Sequence, residues 1–99
     1  MKQPEDCLNL EDIRTEIDAL DCEIIGALGK RFQYVKAAAK FKNSPTSVRT
    51  PDRFKSMLEP RRTWAEAENL NPDIIEKIYR DLVNYFINEE LKAWQTEKR

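Results

Sequence analysis

The chain has 99 residues, of which 40% are hydrophobic and 35% charged, and its net charge is only −1. This length predicts a single domain over residues 1–99, and the near-neutral balance excludes a global field that would favour nucleic acid or a membrane surface. The sequence has no histidine and only two glycines. This excludes Ser-His and Cys-His nucleophiles, most zinc sites and a phosphate-binding loop, so we expect neither a metal nor a cofactor.

The cysteines and the hydropathy pattern indicate a cellular compartment. Cys7 and Cys22 lack the spacing of a metal or redox motif, so free thiols in a cytosolic protein are expected. The sequence shows neither a signal peptide nor an apolar run long enough to span a bilayer. We therefore expect a cytoplasmic protein with no membrane partner.

A long first helix is predicted from Leu10 to Lys42. No proline interrupts this stretch, and a helix of this span is roughly 50 Å long, whereas a domain of about 100 residues has a radius of gyration near 13 Å. The rest of the chain is too small to cover such a helix, so a second copy is predicted to do so. Its apolar face recurs at alternating steps of three and four: Leu10, Ile13, Ile17, Leu20, Ile24, Ala27, Tyr34, Ala38 and Phe41.

A polar segment, residues 43–51, separates the first helix from the second. Thr50 and Pro51 are typical of an N-cap and a first helical residue, so a second helix is predicted over about 51–69. Pro60 removes one backbone hydrogen bond and is expected to kink this helix or split it in two. Its apolar face comprises Phe54, Met57, Leu58, Trp64 and Ala65.

The third helix is predicted to start at Asn71 and Pro72 by the same cap pattern and to run to about Thr96. Its apolar stripe comprises Ile75, Ile78, Tyr79, Leu82, Phe86, Ala93 and Trp94. No stretch shows strand-like alternation. Three helices, one of them very long, predict an all-α chain that forms an intertwined homodimer.

Arg31 interrupts the apolar face of the first helix. A buried guanidinium is costly unless it is paired, so either an internal salt bridge or a bound anion is expected, and both alternatives stay open. Lys42 lies 11 residues further on, about 20° from Arg31 around an ideal helix, so both can serve one cavity. Arg14 is about 25 Å from Arg31 along the helix and can join that cavity only from the antiparallel helix of a partner.

Arg49 and Arg53 place further positive charge beside Lys42, where the loop folds back. Exposed arginines are usually solubilising, so each is weak evidence by itself. Together with Arg31, the cluster predicts a small ligand with two carboxylates, because arginine binds carboxylates in a bidentate manner.

Glu90 is the second unusual charge. The residues three and four positions away on its helix are all apolar: Phe86, Ile87, Ala93 and Trp94. This spacing predicts either a buried functional carboxyl or a glutamate at the edge of the core that reaches solvent.

These residues resemble the all-helical chorismate mutase family. The pattern is Arg14-x-x-Ile17-x-x-Leu20-Asp21-x-x-Ile24-x-x-x-Leu28-x-x-Arg31, followed by Lys40-x-Lys42 and Val48-Arg49-x-x-Asp52-Arg53. Within the family, the chain is most similar to the isochorismate-pyruvate lyases of salicylate and siderophore biosynthesis. That similarity includes Pro4-Glu5-Asp6-Cys7, Tyr34-Val35-Lys36-Ala37-Ala38, Phe41-Lys42, Met57-Leu58, Trp64-Ala65-Glu66 and Lys92-x-Trp94.

The resemblance implies an intertwined dimer with two equivalent active sites and a role for each candidate residue. Arg31 and Arg14 of the partner subunit would hold the two substrate carboxylates, and Arg53 would lie near the ring hydroxyl. Lys42 and Glu90 would face the ether oxygen that links the ring to the enolpyruvyl group. The implied lyase reaction is pericyclic and needs no cofactor: isochorismate gives salicylate and pyruvate.

Two departures from the family pattern bear on lyase against mutase. Mutase members typically carry carboxylates where this chain has Thr50 and Phe54, which favours the lyase. Glu90 stands where the lyase has glutamine, and several mutases have glutamate there. The alternatives are therefore a lyase with weak mutase activity, a chorismate mutase that makes prephenate, and a non-catalytic helical dimer module.

Overall fold

The computed structural model describes residues 2–41 and 51–97, and within them the chain is helical. Contacts divide the chain into two units, Met1–Gln33 and Tyr34–Arg99. The described part contains no strand, which confirms the all-α prediction. The helices are α1 (Leu10–Ala38), α2 (Pro51–Ala67) and α3 (Pro72–Glu97), with short 3₁₀ turns at Pro4–Asp6 and Ala39–Phe41.

Side-chain caps set the start of α1 at Leu10, as predicted. The Asn9 Oδ1 accepts a hydrogen bond from the backbone N–H of Asp12 at 2.8 Å. The Asp12 carboxylate accepts from the backbone N–H of Leu8 at 3.0 Å and from the Lys2 ammonium at 3.2 Å. These two donors, in that order, lower the pKa of the Asp12 carboxyl.

The aliphatic side chains of α1 are largely exposed to solvent. None of the 29 residues of α1 is buried. The exposed fractions of its aliphatic side chains are 57% for Leu10, 41% for Ile13, 49% for Ile17, 45% for Leu20, 56% for Ile24 and 68% for Ile25. Helices in proteins owe most of their stability to the packing of such a face.

The first helix ends earlier than predicted. Its α-helical part stops at Ala38, and Ala39–Phe41 form a 3₁₀ turn, a common way to tighten the end of an α-helix. Ala39 is fully buried, and the turn packs against α3. Lys42, the predicted last residue of the helix, lies outside the described residues.

The α2 helix is continuous through Pro60, so of the two predicted outcomes, a kink or a split, the split does not occur. Proline removes one backbone hydrogen bond, but the turns on both sides of it are packed. Met57 and Leu58 are buried before Pro60, and Ala65 is buried after it. This packing holds the two parts of the helix together.

The α2 helix ends in a Schellman motif. Asn69 has a left-handed backbone with φ 61°. The N–H of Leu70 donates to the carbonyl of Ala65 at 2.8 Å, and the N–H of Asn69 donates to the carbonyl of Glu66 at 3.1 Å. These bonds satisfy carbonyls that the helix end would leave unpaired.

The predicted cap of α3 is confirmed. The Asn71 Oδ1 accepts hydrogen bonds from the N–H groups of Asp73 at 2.8 Å and Ile74 at 3.3 Å. Pro72 is the first helical residue, where its missing N–H costs nothing. The turn between α2 and α3 is therefore specified on both sides by asparagine.

The helices α2 and α3 pack against each other as an antiparallel hairpin. Met57, Leu58 and Val83 form its buried cluster, called here the hairpin core, with Phe54, Tyr79 and Ile87 packed around it. Two predicted core residues lie elsewhere: Trp64 is 58% exposed and Ile78 is 53% exposed. The Trp64 ring instead contacts the Arg61 guanidinium, 5.2 Å from the ring centroid.

The left-handed backbone at Asn69 generates a stability prediction. Asn69→Gly should leave the free energy of unfolding nearly unchanged, because glycine adopts this conformation without strain. Asn69→Ala should lower it by about 1 kcal/mol, because a Cβ is disfavoured there. Chemical denaturation at one protein concentration measures both, with the exposed helical Asn84→Ala as control. An alanine variant as stable as the glycine variant would contradict the role of the left-handed turn.

Candidate active site

The two arginines of α1 are far apart within one chain. Arg14 and Arg31 both lie on the uninterrupted helix Leu10–Ala38. Their separation of 17 positions corresponds to about 25 Å along the axis. One chain therefore does not bring them together on a small ligand, as the sequence predicted.

Arg31 and Arg14 differ in their surroundings. Arg14 is exposed, whereas Arg31 is half-buried and interacts with other groups of the chain. A half-buried guanidinium with partners agrees with the expectation that a cation in an apolar face must be paired.

Lys42 and Arg49 lie outside the described residues. Their proposed places beside Arg31 and Arg53 stay predictions from the sequence and from the family resemblance. The described chain stops just before Lys42, at the turn Ala39–Phe41, and resumes at Pro51, the first residue of α2.

Arg53 lies in the first turn of α2 and is exposed to solvent. Its carbonyl accepts a hydrogen bond from the Ser56 hydroxyl at 3.0 Å. The next residue, Phe54, is half-buried and packs against the hairpin core. The guanidinium of Arg53 is thus carried by a turn whose neighbouring side chain is anchored in the core.

Glu90 is buried, with only 7% of its surface exposed, and no other charged residue of the described chain is buried to this degree. The predicted apolar surroundings are confirmed for Phe86, which is 4% exposed one turn earlier. This burial removes the alternative of a glutamate that reaches solvent. Glu90 interacts with other groups of the chain, as a buried carboxyl requires.

Glu89, the preceding residue on the same helix, is half-buried and ion-paired. Its carboxylate forms an ion pair with the Lys92 ammonium at 3.0 Å, and the lysine side chain is 72% exposed. Such a pair is worth a few tenths of a kcal/mol. The contrast with its neighbour shows that burial is specific to the face that carries Glu90.

Arg53 and Glu90 lie at the same end of the α2–α3 hairpin. Phe54 and Ile87 pack around the hairpin core on facing helices. Arg53 directly precedes Phe54, and Glu90 follows Ile87 by three residues, about one helical turn. Of the predicted site residues, the structure therefore brings these two to one region.

Sequence reasoning missed two other arginines of the hairpin. The Arg61 guanidinium lies 5.2 Å from the ring centroids of both Trp64 and Tyr79, and it donates a hydrogen bond to the carbonyl of Met57 at 2.8 Å. Its Nε is buried without a hydrogen-bond partner. Arg80 lies over the Phe54 ring, with 5.4 Å from guanidinium to centroid. For Arg80, the sequence did contain a signal: Glu76 lies four residues earlier, the spacing of an ion pair on one helix.

The described residues offer no metal site. Within 2–41 and 51–97, no three Cys, Asp or Glu side chains converge as ligands, and both cysteines are free thiols. Also within these ranges, no helix combines the length and apolarity needed to cross a bilayer. A guanidinium such as that of Arg53 can hold an anionic ligand, and a buried carboxyl such as that of Glu90 can act on an oxygen atom.

The comparison with protein families identifies the class of protein. Residues 13–91 match the family described as chorismate mutase type II, so the match spans most of the chain. The chain belongs to the chorismate mutase type II family. The resemblance drawn from the arginine and lysine pattern is thereby confirmed.

Individual relatives refine this assignment. The chain is 42% identical over 95 residues to the isochorismate pyruvate lyase of Pseudomonas aeruginosa, covering 96% of this chain and 94% of that protein. It is 38% identical over 89 residues to the T-protein of Haemophilus influenzae and 32% identical over 89 residues to that of Enterobacter agglomerans. These matches cover 88% of this chain but only 24% of each T-protein.

Proposed function

We propose that the chain is an isochorismate-pyruvate lyase that converts isochorismate to salicylate and pyruvate without a cofactor, with weak chorismate mutase activity as a side reaction. The observation that carries this proposal is the 42% identity to the Pseudomonas aeruginosa isochorismate pyruvate lyase over nearly the whole of both chains. An end-to-end match includes every candidate site residue within one alignment. We further propose, from the family resemblance, a cytoplasmic role in making salicylate for siderophores.

The environment of Phe54 supports the lyase. This residue takes the place where mutase members typically carry a carboxylate near the substrate hydroxyl. Its ring packs around the hairpin core and lies under the Arg80 guanidinium. The position beside Arg53 therefore presents a ring where a mutase would present a hydrogen-bond acceptor.

A chorismate mutase that makes prephenate is the second candidate. Family membership itself favours it, and so does Glu90, since glutamate at this position is typical of several mutases. A carboxyl buried to 7% exposure can act near an ether oxygen in either reaction. A non-catalytic dimer module is the third candidate, but it assigns no role to a buried Glu90 or to the arginines.

The working unit in this proposal is a homodimer with shared active sites. The exposed aliphatic face of α1 supports it, because a second α1 supplies the kind of surface that covers such a face. An antiparallel arrangement also removes the problem of the 25 Å between Arg14 and Arg31. Arg14 of the partner subunit would then reach the site that contains Arg31.

In the proposed site, different residues bind the substrate and act on the bond that breaks. Arg31 and Arg14 of the partner subunit bind the two carboxylates, and Arg49 adds positive charge at the loop. Arg53 lies near the ring hydroxyl. Lys42 and Glu90 face the ether oxygen. Charged groups fixed before the reaction stabilise the departing oxygen without the cost of reorganising solvent.

In the proposed reaction, a ring hydrogen moves to the enolpyruvyl methylene as the ether C–O bond breaks. The ring becomes the aromatic salicylate, and the enolpyruvyl group becomes pyruvate. No external acid, base or oxidant enters the balance. The protein has to hold the compact conformer in which the hydrogen and the methylene carbon meet, and to stabilise negative charge on the oxygen.

A direct assay separates the three candidate functions. Purified protein is mixed with isochorismate and, separately, with chorismate, and salicylate fluorescence and prephenate are followed. The lyase predicts salicylate from isochorismate at a higher kcat/KM than prephenate from chorismate, with Arg31→Ala as a control for contaminating enzyme. The reverse order would establish the mutase instead, and silence on both substrates would favour the non-catalytic module.

Mixing two inactive variants tests the shared site. Arg14→Ala and Arg31→Ala chains should each be inactive alone. After co-refolding in equal amounts, half of the dimers should be mixed with one intact site each, so about a quarter of wild-type activity should return. The control replaces the Arg14→Ala chain by one that carries both substitutions, which restores no site. Formation of mixed dimers without recovery would contradict a site shared between subunits.

The protonation of Glu90 predicts a pH dependence. Only a protonated carboxyl can donate a hydrogen bond to the ether oxygen; desolvation favours that form, and nearby cations favour the anion. A bound dianionic substrate opposes ionisation, so kcat should rise as pH falls from about 8 toward about 5. Glu90→Gln should abolish this slope because an amide donates at every pH.

Glu89→Gln is the matched control for this experiment. It changes the same group on the same helix at a half-buried, ion-paired position and should keep the wild-type slope. Circular dichroism across the pH range checks folding. A flat wild-type profile, or a Glu90→Gln profile that retains the slope, would show that Glu90 is not the titrating donor.

A further inference from the structure

Four charged side chains link the turn of the hairpin to its interior. Arg62 on α2 pairs with Asp73 at 2.9 Å and with Glu76 at 3.3 Å, both on α3. The hydrogen bond to Asp73, together with the Glu76 charge, raises the pKa of the Arg62 guanidinium. The other carboxylate oxygen of Glu76 accepts from the Arg80 Nε at 3.2 Å. Glu76 thus holds one arginine from each helix.

Arg80, the last residue in this series of ion pairs, contacts the aromatic ring of Phe54. The Arg80 guanidinium lies 5.4 Å from the centroid of Phe54, within the range of a cation–π contact. The Arg80 side chain is 51% exposed, whereas Phe54 is half-buried against the hairpin core. Arg80 therefore covers the outer side of a ring whose inner side is packed.

This contact falls on the least supported part of α2. The first N–H groups of a helix have no acceptor within it, so a first turn depends on side-chain contacts for its position. Phe54, in that turn, packs against the hairpin core, and Arg53 is its direct neighbour. A shift of the Phe54 ring would move the Arg53 guanidinium with it.

We propose that Arg80 is a positioning residue for Arg53. The ion pair with Glu76 holds the Arg80 guanidinium over the Phe54 ring. This contact keeps the first turn of α2 in the position from which Arg53 reaches the ligand. This role rests on the proposed function, in which Arg53 binds the substrate near its ring hydroxyl. Arg80 itself touches no reacting atom.

Substitution of Arg80 should change binding more than chemistry. Loss of one exposed cation–π contact predicts that Arg80→Ala raises KM for isochorismate about threefold with kcat near the wild-type value. Arg80→Lys keeps a cation near the ring and should recover part of the loss. Lys77→Ala removes the same charge from an exposed position on the same helix and should leave KM unchanged. Circular dichroism confirms that each variant is folded.

Hydrogen exchange provides a measurement that needs no substrate. Arg80→Ala should speed amide exchange in residues 55–59, which follow Phe54, more than in α3, and Lys77→Ala should not. Equal KM values for Arg80→Ala and Lys77→Ala in an active enzyme would overturn the positioning role, as would unchanged exchange in residues 55–59. A wild-type protein that makes no salicylate would instead count against the proposed function, and the exchange comparison would still decide whether Arg80 holds the turn.

Discussion

The uncovered apolar face of α1 is the constraint on which the rest of the structure depends. Six Leu and Ile side chains from Leu10 to Ile25 are each more than 40% exposed, and α1 buries none of its residues. Covering such side chains is worth roughly 1.5–3 kcal/mol each when complete, so the face holds stabilisation on the order of the whole net stability of a small domain. The proposed homodimer would cover this face with a second α1. The same geometry determines the active-site proposal, since Arg14 and Arg31 reach one ligand only when two such helices run side by side.

The α2–α3 hairpin supplies the second structural element. Its core is small, but caps at both sides of the turn and arginines stacked on aromatic rings hold the two helices together. This frame keeps Glu90 out of water and carries Arg53 at the same end. Burial of one carboxyl among apolar side chains is costly in a protein of this size, and catalysis near an anionic oxygen is a function that accounts for it.

The helices were predictable because local signals agree with the tertiary structure. The helix starts at Leu10 and Pro51 and the Asn71-Pro72 cap depend on local sequence, and each was confirmed. Features that depend on contacts between helices were not predictable. The end of α1 at Ala38 follows from burial of Ala39, the continuity through Pro60 follows from packing on both sides, and Trp64 turns outward onto Arg61. Burial of Glu90 was one of the two alternatives that its helical neighbours left open, whereas the Arg80 contact with Phe54 required knowledge of how α2 and α3 face each other.

Sedimentation equilibrium of the purified chain tests the central claim most directly. The account predicts a mass of twice 11.7 kDa at every protein concentration at which circular dichroism shows the full helical content, with helicity lost as the dimer dissociates. A fully helical species of 11.7 kDa that persists on dilution would contradict it, because α1 would then be stable with its apolar face in water.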